Sequence, residues 1–363
     1  CHFELFRLYG SLPYIDKVMG SEDEWDLPRL SDYDMLQRIA ADFQTAADIF
    51  DQAGLMRRDP ASGSGHLAAT DQDKPNGVTA LAMKGRALLY SASPLSNPGN
   101  DISRWEEAAE ANWTALKSAL DHGYLLLAKE KYTDNFYGTK YTNEHIWAWN
   151  YGSSKINTST WSGTFAYPAS NYTNGSGDCP TQNFVDRFET LDGDPLLTEA
   201  DREAAAKLGH YDEQDPYSNR APRFDKTILH DGSVVSGCPT GINIHYDPAT
   251  GTYPVTSLNN NNRSFGIAWG SNDSKGYSNT GYYVNKLWNG MLGTSAAHQH
   301  TDPLIRMAEL YLNYAEAVNE VSGPQGTAGG LSLTALEAVN KVRNRIGMPD
   351  VLDKFTGSAP LLR

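Results

Sequence analysis

Apolar residues recur at three- and four-residue steps through the first third of the chain. From Ser31, the positions Leu36, Ile39, Phe43, Ala46, Ala47, Phe50 and Ala53 fall on one helical face, and Gly54 supplies a stop. Ser31 with Asp34 gives a cap-like start, and an acidic residue suits a helix N-terminus. A second helix is predicted from about Val78 to Ala92, ended by Pro94, with Ala82 and Gly85 small enough for close packing against a neighbour. A third opens on Ser103-Arg104-Trp105-Glu106, which has the form of a capping box. It carries Trp105, Ala108, Ala109, Leu116 and Leu120 to a stop at Gly123. In the last third, Asp302 is placed as a cap with Pro303 at the first helical position. Leu304, Ile305, Ala308, Leu312, Ala315 and Val318 then line one face. Beyond a linker holding Gly323, Pro324, Gly326, Gly329 and Gly330, a final helix carries Ala335, Leu336, Val339, Val342 and Ile346 to Gly347 and Pro349.

The middle, from about Lys131 to His300, shows no sustained period. It is dense in Asn, Gly, Ser, Thr, Tyr and Trp, with short extended pieces expected at Ile146–Trp149 and Tyr282–Leu287. A long region of this kind inside a compact domain is functional or flexible, and its rings argue against a mere linker. Two helical pairs, 80–92 with 103–120 and 304–318 with 333–346, suggest tetratricopeptide-like hairpins; periodicity alone leaves an ordinary helical bundle as the alternative. The predicted fold is mainly α, with tetratricopeptide-like hairpins as scaffold and a loop-rich middle containing a few short strands. One domain is expected over 1–363: a helical scaffold over 1–125, a loop-rich ligand-binding region over 126–301, and a helical hairpin over 302–350.

With 363 residues, 40% of them hydrophobic, the chain can bury a large core. Its 30 Lys+Arg against 44 Asp+Glu give a net charge of −14, and there is no basic run, so nucleic acid is excluded as a partner. No stretch approaches the roughly 20 apolar residues that span a bilayer. The chain opens inside what reads as a folded segment, so no signal peptide is expected in it. Cys1, Cys179 and Cys238 have no metal-ligand spacing. Cys179 and Cys238 lie in Gly/Pro/Asp-rich loops and read either as two thiols or as one bridge.

No glycine-rich phosphate loop, HExxH, GxSxG or EF-hand loop is present. Asp192-Gly193-Asp194 reads as a turn rather than a calcium site. His298 and His300, with Asp302 following, lack a third ligand at fixed spacing. Glu309 and Glu316, seven apart, share a helix face as solvated or salt-bridged residues do. No catalytic residue, metal or cofactor is therefore expected.

Rings on irregular backbone are the more informative feature. Trp147, Trp149, Trp161, Tyr167 and Tyr172 lie amid Asn157, Asn171 and Asn174; a second such segment holds Asn260, Asn261, Asn262, Trp269, Asn272, Tyr277, Tyr282 and Tyr283. Sugars present apolar C–H faces rimmed by hydroxyls, so a site for them needs flat rings with amide and hydroxyl partners. Trp147, in a predicted strand, is assigned to the core, and Trp105 and Trp113 to helix packing. The candidate ligand residues are Trp161, Tyr167, Tyr172, Trp269 and Tyr277 for stacking, with Asn157 and Asn272 bonding hydroxyls.

Several segments in order resemble one family, the SusD/RagB outer-membrane nutrient-binding proteins of Gram-negative bacteria. The most specific are DPLIRMAELYLNYAEA at 302–317 and VNKVRNRIGMP at 339–349. Supporting them are FELFRLYGSLP at 3–13, GRALLYSASP at 85–94, FVDRFETLDG at 184–193, RAPRF at 220–224 and YVNKL at 283–287. Ala221 stands where the family usually has Asp, so a salt bridge or cap is expected to be missing there. The family's lipoprotein signal, anchoring Cys, first helices and C-terminal segment are not in the chain, which reads as an internal fragment; Cys1 is not the lipid-bearing cysteine.

The resemblance implies a helical scaffold with long ligand-binding loops, on a non-enzymatic, glycan-binding lipoprotein at the extracellular face of the outer membrane. It would hand oligosaccharides to a SusC-like TonB-dependent transporter, anchored by a lipid outside this chain. Arg306, Glu309, Glu316, Arg343 and Arg345 would hold the scaffold. Two rivals remain at this point. A glycoside hydrolase on a helical framework would need a carboxylate pair at defined spacing. A tetratricopeptide-type protein-interaction adaptor would leave the aromatic middle without a role.

Overall fold

The periodic segments fold as helices in the computed structural model, which describes residues 1–57, 73–137, 141–150, 179–234, 280–286 and 301–362. In chain order the elements are α1 (His2–Tyr9), α2 (Asp32–Gln52), α3 (Gly77–Ala92), α4 (Ile102–Asp121), α5 (Asp134–Tyr137), β1 (His145–Asn150), α6 (Gln182–Val185), α7 (Glu199–Lys207) and α8 (Arg223–Thr227). There follow β2 (Ile228–Leu229), β3 (Tyr283–Val284), β4 (Thr301–Arg306), α9 (Met307–Ser322), α10 (Ala335–Asn344) and α11 (Ala359–Leu362). The fold is mainly α, as the periodicity predicts.

Side-chain caps set the helix starts. Ser31 Oγ accepts from the Asp34 N–H at 3.0 Å, as read from the sequence. Asn76 does the same for α3, accepting from Thr79 N–H at 2.9 Å. The capping box expected at Ser103 and Glu106 is not formed. Asp101 caps α4 instead, accepting from the Ser103 N–H at 3.0 Å. A carboxylate one turn edge earlier meets the positive helix end, and it displaces the hydroxyl. A capping box does open α10, where Thr334 and Glu337 bond reciprocally.

The helices stack in the order α2, α3, α4, α9, α10, so the α4–α9 contact joins the first and last thirds of the chain. Helix α3 lies between α2 and α4 and is buried on nearly every side. Small residues let it approach α4: a Cβ on Gly85 would come within 2.5 Å of Asn112 Oδ1, and Asn112 Nδ2 donates to the Gly85 carbonyl at 3.1 Å. Leu36 on α2 and Leu116 on α4 are fully buried, each contributing about 1.5–3 kcal/mol by leaving water.

The expected helix start at Asp302 is overturned. Residues 301–306 form β4, antiparallel to β1, and α9 begins only at Met307. The β1 backbone needs hydrogen-bond partners, and that ladder outweighs the local Asp-Pro signal. Pro303, which has no N–H to give, stands opposite Ala148 next to a register shift in the ladder. Leu304 and Leu312, assigned to the helix's inner face, are instead 42% and 44% exposed. The inner face of α9 is Met307, Leu310, Tyr311, Tyr314, Ala315 and Val318. In β1, Ile146 and Ala148 are buried while Trp147 is half-buried against the core and donates its indole N–H to the Asp73 carbonyl at 2.8 Å.

Four of the five charged residues read as scaffold, Arg306, Glu309, Arg343 and Arg345, lie in ion pairs between distant segments, and Glu316 is exposed on α9. Glu309 pairs with Arg86 at 2.6 Å, tying α9 to α3, and Arg343 pairs with Glu189 at 2.7 Å. Ala221 is buried with Tyr132, Phe136, Ile346 and Met348, and α8 after it has no side-chain cap. Glu144, fully buried, gathers the most. Its Oε2 accepts from Arg345 at 2.6 Å, Asn135 at 2.9 Å and the Leu127 N–H at 3.0 Å; its Oε1 accepts from Arg306 at 3.0 Å. Burial pushes this carboxyl up, but Arg345, Arg306 and the two hydrogen bonds outweigh it and hold it below the usual carboxylate range. Next to it, His145 Nδ1 accepts from the Thr142 N–H while Nε2 faces the Asn135 carbonyl at 3.0 Å, an arrangement that suits a neutral ring. Burial pushes its pKa down to about 4.

Glu144→Gln keeps the shape and removes the charge, leaving the buried Arg345 guanidinium uncompensated. Urea unfolding should show a loss of about 3–5 kcal/mol. His145 gives a pH signature. Between about 4 and 6.5 the unfolded chain binds a proton that the folded chain refuses, so stability falls as pH drops through that window, by up to about 3 kcal/mol. His145→Gln should flatten that slope in unfolding measured from pH 7 to 4.5.

Candidate functional site

Three stretches of the irregular middle, 151–178, 235–279 and 287–300, lie outside the described residues, but the residues on either side of each are fixed. Their arrangement follows from the two small sheets. In the β1–β4 ladder, Asn150 stands opposite Thr301, so the point where 151–178 departs adjoins the point where 287–300 returns. In the β2–β3 ladder, Leu229 stands opposite Tyr283, which brings the two ends of 235–279 together. Tyr282 Oη donates to Gln182 Oε1 at 2.8 Å, linking the return of 235–279 to the return of 151–178.

The departure of 287–300 is held on the same ground. The N–H groups of Asn285 and Lys286 both donate to the Thr227 carbonyl. Lys286 Nζ then lies 4.6 Å from the Phe136 ring centroid, and Arg306 Cζ lies 5.3 Å from the same ring. Burial, with Arg306 and Arg223 nearby, pushes the Lys286 pKa down to about 8. Arg306 is in turn fixed by Glu144. All three stretches are thus rooted on one base made by β1, β4, the β2–β3 pair and α5.

The sequence-predicted ligand residues fall within these stretches. Asn157, Trp161, Tyr167 and Tyr172 belong to 151–178, and Trp269, Asn272 and Tyr277 to 235–279; all lie outside the described residues, as do Cys238, His298 and His300. The structure brings together the bases of the stretches that carry them. Among the described members of the aromatic set, Trp149 is 52% exposed at the end of β1, whereas Tyr282 and Tyr283 are buried.

Asp192-Gly193-Asp194 is a turn, with Gly193 at φ 91 and Asp194 buried against His210 Nδ1 at 2.7 Å. That hydrogen bond pushes the His210 pKa up. Among the described residues, no group of three or more His, Cys, Asp or Glu is placed to hold a metal ion.

Beside the base, a cavity of about 490 Å³ is lined by Tyr217, His230, Asp215, Asp225, Ser233 and Asn285, among others. Sequence reading passed over Tyr217 and His230 because each is a single ring among turn residues with no period. The signal nearest them was the Arg220-Ala221-Pro222-Arg223-Phe224 segment, whose Phe224 is fully buried and stacks on His230 at 5.2 Å.

The profile of the SusD family matches residues 143–359, more than half of the chain. Among solved structures, a SusD-like protein from Bacteroides fragilis is 24% identical, with a TM-score of 0.66 over 100% of this chain and 61% of that one. A SusD-like carbohydrate-binding protein from the same species is 21% identical, with a TM-score of 0.65 over 97% of this chain and 58% of that one. A SusD superfamily protein from Parabacteroides distasonis is 17% identical, with a TM-score of 0.58 over 99% and 59%. The chain spans about three-fifths of the length of these structures, and at such identities the likeness is one of fold. No curated protein matches it. With the family profile running from the turn that bears Glu144 through the last helices, the chain belongs to the SusD family.

Proposed function

We propose that this chain binds oligosaccharides at the outer face of the outer membrane without cleaving them and delivers them to a SusC-like TonB-dependent transporter. The observation that carries the reading is the chemistry of the three stretches rooted on one base. In a chain of net charge −14, they hold only Asp178, Asp247 and Asp273 against Lys155, Arg263 and Lys275, and the remainder is rich in Asn, Ser, Thr, Gly and rings. An uncharged, ring-bearing surface suits a neutral polyhydroxylated ligand. The similar structures support it: one is a SusD-like carbohydrate-binding protein, and another of similar fold is a complex with a xylogluco-oligosaccharide.

Trp161, Tyr167, Tyr172, Trp269 and Tyr277 are assigned to stacking on sugar rings, with Asn157 and Asn272 bonding hydroxyls. Such binding is passive: it needs no carboxylate pair at hydrolytic spacing and no metal.

A glycan array should return neutral oligosaccharide ligands. Trp161→Ala with Trp269→Ala should then weaken binding in calorimetry by about 10–30-fold, from two contacts of about 1 kcal/mol each, with helical circular dichroism unchanged. Unchanged affinity would remove these residues from the site, and new reducing ends on incubation would make the protein a hydrolase.

A further inference from the structure

Three cavities of similar size open among the described residues, and their linings differ in kind. One of about 380 Å³ lies between α2, α3 and α4, and one of about 460 Å³ lies between α4 and residues 328–331; neither has an aromatic residue in its lining. The third, about 490 Å³, lies between the 215–218 loop, the turn after β2 and Asn285. It contains two rings, Tyr217 and His230, stacked with centroids 4.1 Å apart and planes 27° from parallel. Its volume falls within the range of about 300–1,000 Å³ usual for small-ligand sites.

Both rings are held in place. The Tyr217 hydroxyl hydrogen-bonds to Tyr282, whose own hydroxyl donates to Gln182. His230 Nδ1 lies 2.6 Å from the Asp231 carbonyl, Nε2 lies 3.3 Å from Asp225 Oδ1, and the His230 N–H donates to Ser233 Oγ at 2.9 Å. Behind them, Phe224 stacks on His230, and Phe188 meets Phe224 edge-on at 5.7 Å. A ligand landing here would not have to order these rings, so little of the contact energy is lost to freezing side chains.

The polar groups of the lining are one-sided. Asp215, Asp225, Asp231, Ser218, Ser233 and Asn285 contribute carboxylates, hydroxyls and an amide, and among the described lining residues there is no Lys or Arg. Carboxylate oxygens accept hydrogen bonds from sugar hydroxyls, and neighbouring hydroxyls on a pyranose can share one carboxylate. The same carboxylates repel a ligand carboxylate.

We propose that this cavity is a subsite for one neutral pyranose unit of a bound glycan, with Tyr217 as its floor, backed by His230, and Asp215 and Asp225 gripping hydroxyls, and that it rejects uronates. The proposal rests on the glycan-binding reading above and adds to it a place and a selectivity. It is separate from the assignment of Trp161 and Trp269, because every residue of the cavity lies in a different part of the chain.

The test uses the protein carrying ¹³C-labelled histidine, with the His230 signals assigned by His230→Gln. Cellohexaose, maltohexaose and a xyloglucan heptasaccharide are added in turn, and oligogalacturonate separately. At least one neutral sugar should shift the His230 ring signals and oligogalacturonate should leave them in place. Tyr217→Ala should weaken that sugar by about tenfold or more. Asp215→Ala, at an exposed position that leaves the ring stack intact, should weaken it by about threefold or more. A neutral sugar that binds without moving the His230 signals, and with equal affinity for both variants, would overturn the subsite while leaving glycan binding standing. Oligogalacturonate shifting the same signals would overturn the selectivity. Binding of none of the four sugars, nor of any glycan on the array, would remove the glycan-binding reading and the subsite with it.

Discussion

The architecture depends on one buried carboxylate. Glu144 lies just before β1 and holds Arg306 from the end of β4 and Arg345 from the end of α10, while also accepting from Asn135 and the Leu127 N–H. These groups come from chain segments up to 218 residues apart in sequence. Burying an ion pair is costly, and its gain is returned only when every lone pair finds a donor. Here both oxygens are occupied, and the two guanidiniums also lie over Tyr132 and Phe136. The result fixes where β1, β4 and α10 meet, and at the β1–β4 end of that junction 151–178 departs and 287–300 returns.

Helical packing was legible because it is periodic. The inner faces of α2, α4 and α10 follow in large part from three- and four-residue spacing, although Ala53 and Leu120, read on those faces, are exposed, and the small Gly85 marks a close approach that Asn112 fills. What failed was local grammar overridden by partners remote in sequence. Asp302-Pro303 has every mark of a helix start, yet its backbone is claimed by β1. Ser103 and Glu106 have the form of a capping box, yet Asp101 reaches the free N–H first. Glu144 itself could not have been picked from 44 acids, since nothing in its neighbours announces two arginines arriving from the far end of the chain.

The ligand-binding part was legible in composition and not in position. Rings and amides on irregular backbone mark a chemistry, but they obey no period from which a common face could be derived. The sheets supply the missing relation: Asn150 beside Thr301, and Leu229 beside Tyr283, place the roots of all three stretches on one base. Tyr217 and His230 escaped notice for the opposite reason. Their significance comes from stacking on each other, and twelve residues of turn, helix and strand separate them in sequence.

The pairing of Asn150 with Thr301 has an evolutionary consequence. Where both ends of a segment are already clamped by a ladder, adding residues between them costs only the slow logarithm of chain length, about 0.6 kcal/mol per doubling. The helix-to-helix contacts of the α2–α3–α4–α9–α10 stack are made by residues outside that segment. A frame built this way can exchange its recognition surface wholesale while its folding nucleus stays constant, so new specificities become accessible by insertion and drift without a detour through unstable intermediates.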